Sequence, residues 1–495
     1  MAAFNLLETT IVDVHAAYRA GQLTARQLVD MYLERMESYD KKGPALNAII
    51  TVNPQAREEA DRLDAAYKSS GFVGPLHGIP IVLKDQADAK GMPTTLGSLL
   101  FKDYYPDRDA FVVDKLKKAG AIIIGKATLG ELGGGDTHGS LFGSTKNPYA
   151  LDRTPGGSSG GTAASVAANF ATVGIGQEGF ASIRRPATWN SIAGMRPTAG
   201  LVSRAGVFAG WPEIAGSLGP MCRTVTDLAM LLDVMVGYDP EDPVTARGVG
   251  RAPDSFTKSL DASGLKGARI GVIRESMGFE AEPGSEDFKK IDEVFNRAIG
   301  ELKAAGAEIV DPVAIPRLQE LLEKRAGSYI DSEKGFQNYF GRSKHPPFAS
   351  RAEAAKSPDF PKVMRRSQAR WTRPGDPVKH YEYLLAREEL TTSFLKLMAD
   401  NRLDAIVHKA VEHQPTLIAD AFRPPYVDQK GVPHINTFLV FVPSIVVPAG
   451  FTRDNLPAGI CFLGRPYDDA NMIKFAYAYE QATHHRRPPS STTPL

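Results

Sequence analysis

Lys84, Ser158 and Ser182 are the residues of this chain whose types and contexts can do chemistry. Lys84 closes the apolar run IPIVLKD, Ser158 stands in PGGSSGG, and Ser182 stands in GFASIRRP. A lysine at the end of an apolar run is expected to be buried. Burial lowers an ammonium's pKa until the neutral amine can act as a base. The glycines around Ser158 permit unusual torsions and close backbone approach. Gly179-Phe180-Ala181-Ser182 puts a serine after a turn whose successive N–H groups can point one way, a nest suited to a developing oxyanion. Together the three residues suit hydrolysis by a serine whose proton leaves through a second serine to a neutral lysine. No histidine is needed. Taken singly, each has a plainer reading: a glycine-serine stretch as a flexible loop, a lysine as a structural charge.

The elements that must position these residues alternate in type. The first sixty-odd residues read as helical. Thr24-Ala-Arg-Gln27 has capping-box spacing, with Leu28, Met31, Tyr32 and Met36 on one face. Asn53-Pro54 reads as a cap followed by proline at the first helical position. Strands are predicted over 79–83, 121–124, 171–175, 268–273, 309–310, 405–407 and 438–447. Helices are predicted over 109–119, 162–169, 285–305 and 468–482. This alternation predicts an α/β sheet covered on both faces. Residues 343–376, proline-rich and basic, read as a long irregular excursion of the kind that shapes pockets. The tail HHRRPPSSTTPL reads as frayed.

Composition sets the bounds. The 495 residues are 43% hydrophobic and 23% charged, as in an ordinary globular protein. Lys plus Arg (58) balances Asp plus Glu (57), which gives no footprint for nucleic acid or an acidic membrane. Two cysteines in so long a chain, Cys222 and Cys461, favour a reducing compartment, and the N-terminus lacks the pattern of a secretory signal. No apolar stretch reaches the roughly eighteen residues of a membrane span. The expected setting is cytoplasmic.

Three local patterns compete for the same chemistry-bearing stretches. Gly120–Ala127 is nearly a P-loop, but Ala127 lacks the magnesium-holding hydroxyl and AIII is strand sequence. Gly174-x-Gly176-x-x-Gly179 is a formal dinucleotide fingerprint without the downstream acid, and Pro186 interrupts its helix. Gly156-x-Ser158-x-Gly160 matches a nucleophile elbow, which would make Ser158 the nucleophile with His408, His413 or His434 downstream. An elbow needs a strand directly before it, and residues 147–155 are loop sequence.

Over nearly its whole length the chain resembles the amidase signature family. The motifs are GPLHGIPIVLKD (74–85), GAIIIGKATLGEL (120–132), FGSTKNPY (142–149), TPGGSSGGTAASVAA (154–168), SIRRPATWNSIAGMRPTAGLVSRAGV (182–207), GSLGPMCRTVTDLAMLL (216–232) and VPSIVVPAGFTRDNLPAGICFLG (442–464). The spacing of Ser158 and Ser182 also suits the family. The resemblance implies one domain over 1–495 built on a large, mixed, twisted β-sheet flanked by helices on both faces. Within it, 1–70 is a helical N-terminal segment and about 320–430 a variable, substrate-shaping region.

The resemblance also implies roles. Ser182 would be the acyl-accepting nucleophile, Ser158 the proton relay after a cis bond from Gly157, and neutral Lys84 the base. The N–H groups of Gly179, Phe180, Ala181 and Ser182 would form the oxyanion hole. Ser159 would support Lys84 by hydrogen bonding, and Arg184 would stand behind the site. Asp85 and Glu131 match family positions and read as structural. The sequence departs from the family at Gln177-Glu178-Gly179-Phe180-Ala181, where relatives usually carry Thr-Asp-x-Gly-Gly. Non-glycine residues avoid positive φ, so Phe180 and Ala181 question the torsions of the hole. Met195-Arg196 replaces Leu-Lys.

The implied reaction is hydrolysis of an amide-type C–N bond, with ester side activity and without cofactor or metal. Phe180 and the absence of charge bias point to a small neutral amide, anilide or carbamate, and the variant loop is similar to that of urethanases. The partner is a small-molecule substrate, not nucleic acid or membrane, with a homodimer left open. Two alternatives stand: one component of an amidotransferase that works with partners, and a hydrolase with Ser158 as nucleophile and a late histidine.

Overall fold

The computed structural model describes residues 4–208, 216–325 and 332–495. Among them the apolar runs become strands of one eleven-stranded mixed sheet. In chain order these are β1 (Ile49–Val52), β2 (Pro80–Lys84), β3 (Ile122–Ala127), β4 (Val173–Glu178), β5 (Ala193–Arg196), β6 (Ser217–Cys222), β7 (Arg269–Ile273), β8 (Glu308–Val313), β9 (Ala405–Lys409), β10 (Ser444–Phe451) and β11 (Pro457–Leu463). Across the sheet they run β1-β3-β2-β4-β6-β5-β10-β11-β9-β7-β8. β2 lies parallel to both neighbours, as does β7. The remaining pairs are antiparallel.

Every residue of β2 through β6 is buried, so both faces of the sheet are covered there. That is why β2 and β3 read as continuous apolar runs rather than alternating ones. Helix Gly160–Ala167, which follows Ser158, presses on β4. A Cβ on Gly174 would meet Thr162 and Val166 at 2.6 and 2.8 Å, and one on Gly176 would meet Ser159 Oγ at 2.9 Å. The formal dinucleotide fingerprint is therefore a strand stripped of side chains so that this helix can approach. Cys222 and Cys461 are free and buried.

The capping box forms: Gln27 N donates to Thr24 Oγ1 and Thr24 N to Gln27 Oε1. Five expectations are corrected. The N-terminal stretch read as helical also carries a strand, β1 (Ile49–Val52), which pairs with β3. Helix Ala56–Ser70 starts beyond Pro54, with Asn53 Oδ1 accepting from Gln55 N in the turn before it. Residues 343–376 are not wholly irregular, since they contain the helices Arg351–Ala354 and Arg365–Thr372. The strand predicted over 438–447 begins only at Ser444; Phe438 ends the helix Ile435–Phe438. Between them Arg196 draws in the carbonyls of Asn436, Leu439 and Val442, which bends the backbone out of a strand. The tail is docked rather than frayed. Arg486 pairs with Glu8 at 2.7 Å, and Arg35 donates to the carbonyls of Thr492 and Thr493.

Candidate active site

β2 ends at Lys84, so the strand delivers the amine to the C-terminal edge of the sheet. Lys84 is fully buried. Its Nζ lies 2.6 Å from Ser158 Oγ and donates to the Gln177 carbonyl at 3.2 Å. Burial pushes its pKa well below the usual lysine value; Glu178 opposes the shift and Arg370 adds to it. The amine is thus held toward its neutral form.

Ser158 is also fully buried and follows a cis peptide bond from Gly157. The Gly157 carbonyl accepts from Arg185 Nη2 at 3.0 Å, and a Cβ on Gly157 would run into the Gly135 carbonyl. Ser159 caps helix Gly160–Ala167 and joins the two serine segments, its N–H donating to the Ser182 carbonyl at 3.0 Å. No direct bond to Lys84 is made among the described residues. Ser159 Oγ instead meets the Gln177 carbonyl that also receives Lys84.

Ser182 sits just past β4, in a bend that leads into helix Arg184–Trp189, and is 7% exposed. The N–H groups of Gly179, Phe180, Ala181 and Ser182 have no backbone acceptor among the described residues. Neither Phe180 nor Ala181, nor Gly179, has positive φ, so the loop accepts side chains at 180 and 181 without backbone strain. The Phe180 ring packs with Val432 and stands edge-on to His434 at 5.8 Å.

Glu178 is the residue the sequence did not mark. It is fully buried and accepts from Ile183 N, Arg184 N and Arg184 Nε at 2.9, 3.0 and 2.7 Å. Arg196 Nη1 approaches it at 3.6 Å. Burial works against its charge, but Arg184 and Arg196 outweigh that and hold its carboxyl below the ordinary value. Arg196 itself is pushed down to about 9 by burial and then by Arg184. One carboxylate thus ties both sides of the Ser182 loop to two guanidiniums. Its signal in the sequence was an acid directly before a glycine-poor variant of the motif, with Arg184 two residues beyond Ser182. The carboxylate of Asp136, 2.6 Å from Arg185, was likewise unmarked.

The other singled-out residues are structural. Asp85 pairs with Lys126 at 2.8 Å with both side chains fully buried, which absorbs the lysine of the near-P-loop into the core. Glu131 accepts from Ser140 N and Met364 N and so ties the 131–140 loop to the excursion. None of the candidate histidines hydrogen-bonds Ser158 or Ser182 among the described residues. His408 lies on β9 with Nδ1 at the Lys409 carbonyl and is pushed down to about 3 by burial. His413 meets the Gln414 carbonyl and Asp287. His434 is pushed down to about 4 by burial and Arg325.

Comparison with known proteins shows the family. The family model described as Amidase matches residues 27–473. The chain is 32% identical to a probable amidase of Arabidopsis thaliana, over 99% of this chain and 92% of that protein. It is 34% identical to a glutamyl-tRNA(Gln) amidotransferase subunit of Halorhodospira halophila, over 96% of this chain and 97% of that one. The solved structure of native peptide amidase from Stenotrophomonas maltophilia superposes with a TM-score of 0.86 at 33% identity, covering 98% of this chain and 99% of that one. The chain belongs to the amidase family, the enzymes that hydrolyse amide C–N bonds.

Proposed function

We propose that this chain hydrolyses a small amide, anilide or carbamate through an acyl-enzyme on Ser182. The observation that carries the reading is the 2.6 Å contact between Ser158 Oγ and a fully buried Lys84 whose pKa is strongly depressed. Ser182 Oγ attacks the carbonyl carbon while its proton passes to Ser158 Oγ, whose own proton moves to the Lys84 lone pair. The carbonyl oxygen takes the negative charge and is held by the N–H groups of residues 179–182. Collapse of this adduct expels the amine, protonated by Ser158 as Lys84 returns its proton. Water, deprotonated along the same relay, then cleaves the ester and frees Ser182. The stretch of about 320–430 shapes the substrate: Met364 reaches the Glu131 loop from it, and Arg370 acts on Lys84.

The test is a panel of amides, anilides, esters and ethyl carbamate, with acylated Ser182 located by mass spectrometry. Wild-type turnover that survives in Ser182→Ala or Lys84→Ala sinks the mechanism. A second reading rests on the likeness to glutamyl-tRNA(Gln) amidotransferase: the chain would work within an assembly. Turnover of small amides by the isolated chain decides against obligate dependence on partners.

A further inference from the structure

We propose that the substrate carries a carboxylate near its scissile amide and that Arg325 pairs with it. The inference rests on the amide-hydrolysis reading and names its substrate class.

The Arg325 guanidinium lies 4.1 Å over the Phe180 ring. Phe180 belongs to the four-residue loop that ends at Ser182. A guanidinium held over an aromatic ring can still offer N–H groups to a carboxylate, which they match as a fork. Phe180 thereby gives this chain a platform for a cation two residues along the chain from Ser182.

Arg325 remains charged, because burial lowers an arginine's pKa from a very high starting point. Among the described residues no carboxylate acts on it; Tyr383 is its electrostatic partner. The carboxylates around the site are matched elsewhere: Glu178 to Arg184, Asp136 to Arg185, and Asp428 to Arg366. Arg366, whose charge Asp428 meets, is pushed down to about 9 by burial first, and Arg325 lies close enough to add to that shift. His434, against the same ring, is neutral and brings no counter-charge.

Behind Arg325 and His434 lies a cavity of about 660 Å³ with Met277, Phe279 and Leu322 on its walls. Glu275, Glu280 and Glu323 also line it, but these side chains reach water and none acts on Arg325. Arg325 therefore stands at Phe180 with no carboxylate acting on it among the described residues, although the chain as a whole is near neutral. A half-buried cation that no carboxylate among the described residues meets costs desolvation that a bound carboxylate recovers.

The experiment measures binding to the Ser182→Ala protein by calorimetry, so that turnover plays no part. Two pairs of probes are compared: succinamate with butyramide, and N-acetyl-β-alanine with N-propylacetamide. They place the carboxylate on the acyl side or the amine side. The expected result is binding of the charged member at least about ten-fold tighter in one pair. Adding Arg325→Met brings that ratio to within about two-fold of unity, and Arg325→Lys restores part of it. A charged-to-neutral ratio near one in both pairs overturns the proposal without reference to any Arg325 variant. So does a preference that Arg325→Met leaves intact. Failure of wild-type protein to hydrolyse any amide is a separate outcome that tells against the reaction and leaves the binding ratios standing.

Discussion

Replacing Glu178 with glutamine tests the electrostatic frame of the nucleophile loop. The carboxylate accepts from Ile183 N and Arg184 N, pairs with Arg184 and lies 3.6 Å from Arg196. All three charged side chains are buried. Glutamine keeps the shape and can accept one or two of the hydrogen bonds, but it leaves two buried guanidiniums without a counter-charge. Breaking a buried pair by removing one partner costs about 3–5 kcal/mol. Unfolding entropy of about 2.1 cal/mol/K per residue gives a chain of 495 residues on the order of 1 kcal/mol/K. The melting midpoint of Glu178→Gln is then expected to fall by about 3–5 °C in calorimetry.

The penalty depends on pH with a defined sign. The folded carboxyl titrates below its unfolded value. The stability it adds is fully present above the unfolded pKa and is lost as pH falls through the folded one. The wild-type advantage over Glu178→Gln should therefore shrink on acidification below about pH 4. Activity should drop by about 10²–10³-fold in kcat, because the loop N–H groups lose their fixed aim. A double-mutant cycle with Arg184→Gln should show coupling of at least about 1 kcal/mol, since removing both charges leaves less unpaired than removing either. A Glu178→Gln protein with wild-type melting and wild-type turnover refutes this account of the loop.

Three further outcomes follow from the same geometry. Because Lys84 must be neutral to accept a proton, kcat/KM should fall as pH drops through its depressed pKa and level off above it. Glu178 opposes that depression, so Glu178→Gln should move the acid limb to lower pH; a limb unmoved in pH–rate profiles contradicts the coupling. Lys126→Met leaves the buried carboxyl of Asp85 without its partner. That carboxyl is already pushed up by burial, so the variant should lose about 3–5 kcal/mol near neutral pH and, binding an extra proton when folded, regain stability as pH falls. Denaturant titrations at two pH values check the sign. Gly157→Ala would press a methyl group into the Gly135 carbonyl and should abolish turnover of any substrate the parent accepts, measured on whatever soluble protein is recovered.

Much of this was legible in the chain, for physical reasons that also mark where reading stopped. β2 and β3 were found because strands buried on both faces must be continuously apolar, and PIVLK and IIIGKA are largely so. β6 was missed because SLGPMC carries Gly219 and Pro220, which read as a turn. A Cβ at Gly219 would collide with the Met195 carbonyl, so the strand needs that glycine to lie against β5. β5 itself, AGMR, is too short and too polar to stand out. Lys84, Ser158 and Ser182 were singled out by their contexts, and they lie at one end of β2 and β4. Glu178 was not, because its importance comes from balancing Arg184 and Arg196, and Arg196 lies on a different strand. Of this balance the local sequence carries only Glu178 and Arg184, six residues apart; the share of Arg196 comes from another strand.

The docked tail imposes an order on the birth of the molecule. Arg35, in one of the first helices, satisfies its guanidinium on the carbonyls of Thr492 and Thr493, and Glu8 waits for Arg486. Tyr149 likewise closes on the Arg487 carbonyl. At translation rates of about 5–20 residues per second, roughly 25–100 s separate the emergence of Glu8 from that of Arg486. Throughout that interval the N-terminal helices carry an arginine whose tail acceptors do not yet exist. Contacts this distant along the chain close late and slowly. The nascent protein therefore cannot close this seam until residues 486–493 have left the ribosome, and a chain cut before Arg486 lacks the latch.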